Sequence, residues 1–457
     1  MLSKLKMTCS LLGIFLTVNG CDGWILEVPQ LVPKGSKGEL VVLTVNSPLS
    51  FRKDHEHSNG YEHDLLTEFA RDRGYSLRFK ILKDEWAVVK GLRDGEGDIA
   101  AARIPAHYSI RGSTDLGPAY GEQHLGLICS RNIKVKTTLT GSLSTKANLK
   151  VATLRKNMGT NARNQFSKKY SNIQLDDYLN ISTAQLLRLV SQGKYDCAIS
   201  DRWEASLYLR FFTSLREVVK LDDGQPYHFL VSANSNSKLK LNNELSYWFQ
   251  KAARRGELGR IHHRYFGYLG ELTSQDSSRF FRSVGKEFKL YRESFKKFAK
   301  EFNLPWQLVA AVAYQESHWQ AGAESHTGVE GLMQLTRETA EHLGVDDRRD
   351  PIQSIWGGAK YLRYLIDSQP SKIAFRERLS LALAAYNSGP AHLLDAQTLA
   401  LNKGTNRLSW KDLKSVYPLL ADPSYESELQ YGPARGDETV NFVDRVLNFY
   451  DLLSLPI

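Results

Sequence analysis

The chain predicts an α/β region of alternating strands and helices followed by a region that is almost entirely helical. Three observations carry this. From about Gly38 to Gly267 short apolar runs alternate with amphipathic ones; beyond Leu272 the apolar spacing is helical only; and a polar stretch, Leu272-Thr273-Ser274-Gln275-Asp276-Ser277-Ser278, separates the two patterns. At 457 residues the chain is too long for one hydrophobic core, so two or three domains are expected.

At the N-terminus, Lys4 and Lys6 precede an apolar run from Met7 to Val18, and Asn19-Gly20-Cys21 closes the segment. Residues 1–20 read as a secretory signal, too short and wrongly flanked to span a membrane. Val18-Asn19-Gly20-Cys21 resembles a bacterial lipobox, in which Cys21 carries lipid and becomes the mature N-terminus; the alternative is a plain signal followed by an unrelated cysteine. Either way the destination lies outside the cytoplasm, with attachment by a lipid anchor or peripherally. No later run is long and apolar enough to span a bilayer.

Residues 40–45 read as a strand, 64–70 as the helix after it, and 149–153 as the start of a second strand and helix series, which predicts largely parallel sheets. Cys129 and Cys197 each sit in a strand-like run. They read as two small core residues, with a disulfide open in an oxidising compartment. No Cys or His pair has metal-ligand spacing, so no metal is expected.

This region resembles the extracellular solute-binding proteins of amino-acid uptake, through Gly60-Tyr61-Glu62-His63-Asp64-Leu65, Arg111 with Asp115 and Tyr120, and Asp196 with Asp201. The resemblance implies two α/β lobes closing on a ligand. It also implies that Arg111 grips an α-carboxylate and Asp201 receives an α-amino group, on an amino acid or a cell-wall muropeptide. The residues Ala252-Ala253-Arg254-Arg255-Gly256-Glu257 lead to Tyr265-Phe266-Gly267 and resemble the closing helix of such a module, so this domain is expected over 21–268.

From residue 269 to 457 helices are expected, including 280–288, 359–366, 379–386 and 440–453. In Ala313-Tyr314-Gln315-Glu316-Ser317-His318-Trp319 one carboxylate falls on an apolar stripe, with Leu308 and Val312 at i−8 and i−4, Val309 and Trp319 flanking it, and Pro305 in the first turn. Burial disfavours the charged carboxylate and raises its pKa, which suits a group that must hold a proton near neutral pH. A core acid paired with an arginine is the bland alternative.

Two further segments carry neutral hydrogen-bonding side chains beside an apolar body, as a sugar's hydroxyl and N-acetyl groups require: Gly331-Leu332-Met333-Gln334-Leu335-Thr336 and Ala385-Tyr386-Asn387-Ser388-Gly389-Pro390. A fourth segment, Gly436-Asp437-Glu438-Thr439, follows. In this order they resemble the goose-type-lysozyme-like domain of the soluble lytic transglycosylase family, hence a mainly α, lysozyme-like fold. The resemblance implies cleavage of the β-1,4 bond between N-acetylmuramic acid and N-acetylglucosamine in peptidoglycan, with a 1,6-anhydro end and no cofactor. It casts Glu316 as acid and base, Ser317, Gln334, Tyr386 and Asn387 as groups that orient the sugar or the carboxyl, and Glu438 as support. Both modules together resemble membrane-bound lytic transglycosylases, a group placed at the outer membrane, although Asp22 after Cys21 is a signal for inner-membrane retention.

Charge agrees with export. From Gly270 to the end there are 22 Lys and Arg against 24 Asp and Glu, a net of −2, so the rest of the chain carries +12, or +10 once Lys4 and Lys6 are set aside. That excess suits a solvated face or an anionic lipid or wall polymer, and export argues against nucleic acid. Two alternatives remain at this level: a hydrolase using Glu330 as a second acid, and a solute sensor with an inert helical domain.

Overall fold

In the computed structural model the described residues are 37–454 apart from 55–56, 107–113, 135, 138–142, 145–147, 159, 180, 223, 234–235, 270–271 and 325–327, together with the strand Glu27–Val28. The expected secretion signal, Cys21, Asp22 and Arg111 therefore lie outside the described residues.

Among the described residues the α/β region forms two large sheets and two two-stranded ones, Arg52–Asp54 with His57–Asn59 and Lys136–Thr137 with Leu143–Ser144. The first large sheet has six strands in the order Glu27–Val28, Ser76–Leu82, Glu39–Val45, Ile99–Ala101, Gln225–Ser232, Thr114–Gln123, and the second has five in the order Ile173–Tyr178, Leu149–Leu154, Cys197–Asp201, Leu125–Ser130, Leu215–Lys220. The chain passes from the first to the second after Gln123 and returns before Gln225, so two lobes are joined by two crossings. The expectation of largely parallel sheets needs correction. Glu39–Val45 is parallel to both its neighbours, but the strands at the crossings pair antiparallel with theirs. A chain that leaves a lobe and comes back must reverse direction, and the returning strand has no crossover helix to restore it.

Cys129 and Cys197 are opposite one another on antiparallel strands, with Cα atoms 4.0 Å apart, and form a disulfide. The reading as two unlinked cysteines is corrected, although both are fully buried as expected. The cause is a strand pairing across 68 residues of sequence.

The helical region starts where the polar stretch predicts. Thr273 caps the helix Ser274–Gly285 in a reciprocal capping box with Asp276. One core then runs from Tyr268, Leu272 and Phe280 through Leu308–Tyr314 to Phe449 and Leu452. The helix Trp306–Ser317 packs in its middle, against Gly436–Ser454, with Glu287–Glu301 and Pro351–Asp367 beside it.

Both lobes touch this core. Arg264, in the helix Glu257–Phe266, donates to Asp64 of the first lobe at 2.6 Å and to Glu377 of the helix Phe375–Ser388 at 2.7 Å, and all three side chains are nearly without solvent contact. From the second lobe, Arg210 donates to Asn448, and Phe211 sits edge-on to Phe281 with ring centres 4.3 Å apart.

Candidate active site

The helix Trp306–Ser317 is buried almost all round: every residue from Leu308 to Tyr314 is within the core. Pro305 stands just ahead of it as the capping residue, with φ −63°, rather than inside the first turn. The helix ends abruptly. His318 and Trp319 adopt left-handed conformations, φ 52° and 60°, which non-glycine residues hold only when their surroundings enforce it. The enforcement is visible in the Trp319 indole, which is buried and donates to Ala310 O at 2.8 Å. Trp319 therefore does not continue the helical stripe, but turns back onto it.

Glu316 sits at this interrupted end, partly buried. Burial alone pushes its carboxyl up to about 8. Among the described residues no cation and no hydrogen-bond donor pairs with it, so nothing offsets the loss of hydration. Its neighbours are held instead. Gln315 accepts from Arg445 at 3.0 Å, and Arg445 also reaches Asp276.

The Ser317 hydroxyl lies 3.0 Å from Ala313 O and 2.8 Å from Leu332 O. It has one proton to give to these two carbonyls, and it is buried, so it ties the helix end to the segment 331–335. That segment is a tight turn. Gly331 has φ 88°, and a Cβ there would lie 1.9 Å from Arg348 O. Met333 N–H donates to Ser354 Oγ at 3.0 Å, and the Met333 side chain lies so close to Gly358 that a Cβ would meet it at 2.5 Å. Gln334, at φ 49°, donates from Nε2 to Ala323 O at 3.1 Å and to Gly331 O at 2.8 Å. Only an amide nitrogen can serve two carbonyls, which leaves Oε1 as the outward acceptor.

Tyr386 donates to Met333 O at 2.9 Å and stacks on Phe442, with the Tyr361 ring tilted against it. Burial raises the Tyr386 phenol well above the usual range, and the Glu316 carboxylate raises it further. Asn387, exposed, accepts on Oδ1 from Thr439 at 2.8 Å, so its Nδ2 is turned outward. Gln334, Tyr386 and Asn387 share the wall of a cavity of about 600 Å³ that also includes Tyr361, Tyr364, Lys360 and His342. Glu316 is not in that wall; the chain links the two through the next residue, Ser317, whose hydroxyl bonds Leu332 O beside the Met333 carbonyl that Tyr386 holds.

The site differs from the sequence reading in three ways. Glu438 is exposed and paired with Arg435 at 3.0 Å, and it is the adjacent Thr439 that reaches the site. Tyr361 and Ser354 were not foreseen; their helix, Pro351–Asp367, offers only an ordinary amphipathic pattern. Glu330 is held by Arg348 at 2.9 Å and by Arg349, and these arginines keep it below the usual carboxylate range. Among the described residues no cluster of His, Cys, Asp and Glu could hold a metal ion.

In the α/β region Asp201 has no solvent contact and holds groups of the chain itself: Glu204 N–H at 2.7 Å, Arg103 at 3.1 Å and the Tyr227 hydroxyl at 3.3 Å. The position expected to receive a ligand's amino group is thus occupied from within.

Two family models match the chain: "Bacterial extracellular solute-binding proteins, family 3" over residues 40–268 and "Transglycosylase SLT domain" over 293–409. Similar proteins named "Membrane-bound lytic murein transglycosylase F" occur in Pseudomonas fluorescens (strain Pf0-1), 33% identical over 97% of this chain and 89% of the relative, and in Shewanella loihica (strain ATCC BAA-1088 / PV-4), 31% identical over 95% and 90%. Among solved structures, an ancestral arginine-binding protein bound to glutamine is 18% identical, with TM-score 0.41, over 50% of this chain and 99% of that one.

Proposed function

Since the chain belongs to the membrane-bound lytic murein transglycosylase F family, we propose that it cleaves peptidoglycan glycan strands between N-acetylmuramic acid and N-acetylglucosamine, leaving 1,6-anhydromuramic ends. The observation that carries the reading is a single carboxyl, Glu316, that is desolvated and unpaired among the described residues, while the nearest alternative in the motif, Glu330, is bound by two arginines.

One carboxyl suffices for an intramolecular reaction. Glu316 gives its proton to the glycosidic oxygen as the bond from the muramyl C1 breaks, and the leaving sugar departs as an alcohol. The resulting carboxylate stabilises the positive charge at C1 and then takes the proton of the muramyl 6-hydroxyl as that oxygen bonds to C1. The proton is regained and no water is consumed. The usual hydrolase employs a second carboxylate as water-activating base or nucleophile, a role for which Glu330 is poorly suited because arginines engage both of its oxygens and lower its basicity.

The cavity supports the substrate class. Gln334 Oε1 and Asn387 Nδ2 offer one acceptor and one donor, while Tyr361 and Tyr364 offer ring faces to a pyranose. Their spacing is set by part-buried hydrogen bonds, from Tyr386 to Met333 and from Thr439 to Asn387, so the site is held before substrate arrives.

The division is read as a solute-binding-like module over 21–268 and a catalytic domain over 269–457. The chain is placed at the periplasmic face of a membrane, held through a lipid on Cys21. The relatives' names support attachment, and no described helix is long and apolar enough to cross a bilayer. Purified Glu316→Gln assayed on isolated sacculi tests the catalytic reading. Turnover within about tenfold of wild type, roughly 1.4 kcal/mol in the barrier, would remove Glu316 from the role of acid.

A further inference from the structure

The cleft between the two lobes is closed by an ion pair that the chain supplies itself. Asp201 ends a strand of the five-stranded sheet and caps the helix Arg202–Leu209. Arg103 follows the strand Ile99–Ala101 of the other sheet and crosses the cleft to Asp201 Oδ1 at 3.1 Å. Tyr227, from the Arg103 side, donates to the remaining oxygen at 3.3 Å, and its ring lies 4.3 Å beneath the guanidinium. Neither partner is a solvated surface group: Asp201 is 0% and Arg103 7% exposed.

The Arg103 backbone is held as firmly as its side chain. Its N–H donates to Glu62 at 2.9 Å, and the same carboxylate oxygen accepts from the Tyr120 hydroxyl. Arg103 has φ 49°, a left-handed conformation unfavourable for a residue with a side chain. A second crossing lies beside it, where Lys156 of the second lobe pairs with Glu85 of the first at 2.7 Å and with Glu204 at 3.3 Å. An adjoining cavity of about 460 Å³, lined by Arg103, Lys156, Ser182 and Gln185, has room for a small solute.

We propose that Arg103 is the built-in occupant of a cation site in this cleft, its guanidinium filling the place on Asp201 that an external ammonium or guanidinium would take. The lobes are closed without a solute, and an external cation binds only by displacing Arg103 from both Asp201 and the Tyr227 ring. Any binding to the closed form is weakened by the free energy of that displacement. Because each lobe is also fastened to the helical region, through Asp64–Arg264–Glu377 and through Arg210–Asn448, the occupied module acts as a rigid arm for the catalytic domain.

The test uses the full chain, with methylguanidinium and L-arginine as probes in calorimetry and small-angle scattering to follow closure. Wild type is expected to give no one-to-one binding of either probe at millimolar concentration. Arg103→Ala is expected to scatter as a more open molecule, to bind methylguanidinium at least tenfold more tightly than wild type, and to close again when it is added. Adding Asp201→Asn to that variant should abolish the gain. Wild type binding the probes as tightly as Arg103→Ala, or an unchanged scattering curve with no gain in affinity, overturns the proposal. Should Arg103→Ala fail to fold by circular dichroism, Arg103→Gln, which keeps length and loses charge, carries the same expectations.

Discussion

The hydroxyl of Thr439 donates to Asn387 Oδ1 at 2.8 Å, joining the start of the last helix to the end of the helix Phe375–Ser388. Thr439 is buried and Asn387 exposed, so the bond sets the direction of a surface amide from below. Thr439→Val keeps the shape and removes the donor. Activity on sacculi should fall about tenfold, near the ~1.4 kcal/mol expected for one neutral hydrogen bond at most, with the melting temperature little changed. A full rate with Thr439→Val would mean that the orientation of Asn387 is irrelevant to the substrate.

Tyr386→Phe leaves the carbonyl of buried Met333 without its 2.9 Å donor. Stability should drop by about 1–3 kcal/mol, the range for a buried group left unpaired, and turnover should drop with it because the turn bearing Gln334 loosens. Denaturant melts read the first effect; a variant as stable as wild type would show that water replaces the phenol.

Glu330→Gln should remain active within about tenfold, because the ion pairs with Arg348 and Arg349 already keep this carboxylate from exchanging protons near neutral pH. Loss of activity in a folded Glu330→Gln protein, measured by release of soluble fragments, would instead favour a two-carboxylate hydrolase.

The carboxyl of Glu316 is raised from 4.5 to about 8, so between those values the folded chain keeps a proton that the unfolded chain has released. Stability contributed this way is present at low pH and is lost as pH rises through the window. Glu316→Gln should therefore gain on wild type by up to about 1.4 kcal/mol per pH unit, with the difference complete above about pH 8. Catalysis should decline over the same upper limb, since the acid must be protonated to act. Thermal melts of both proteins across pH 5–9, roughly spanning the window, would refute the raised value if the curves stay parallel.

The burial of Glu316 was legible because an acid among Leu308, Val312 and their neighbours breaks an otherwise apolar helix, and the start of the helix Ser274–Gly285 followed from capping. What stayed hidden depended on contacts between distant segments. Thr439 looks like any helical threonine until Asn387 lies beside it. Cys129 and Cys197 pair only once two strands align in antiparallel register. Asp201 read as a free receptor because nothing local reveals that Arg103, 98 residues earlier, reaches it across the cleft. The mixed sheets were missed for a related reason: periodicity shows that a strand exists, whereas its direction depends on where the chain turns back.

The central claim is that a single carboxyl cleaves the strand without water. Digesting purified peptidoglycan in water enriched in the heavy oxygen isotope and analysing the fragments by mass spectrometry tests it most directly. The account predicts anhydromuramic ends free of the isotope from wild type, and no comparable release from Glu316→Gln. Reducing muramic ends carrying the heavy oxygen would contradict it.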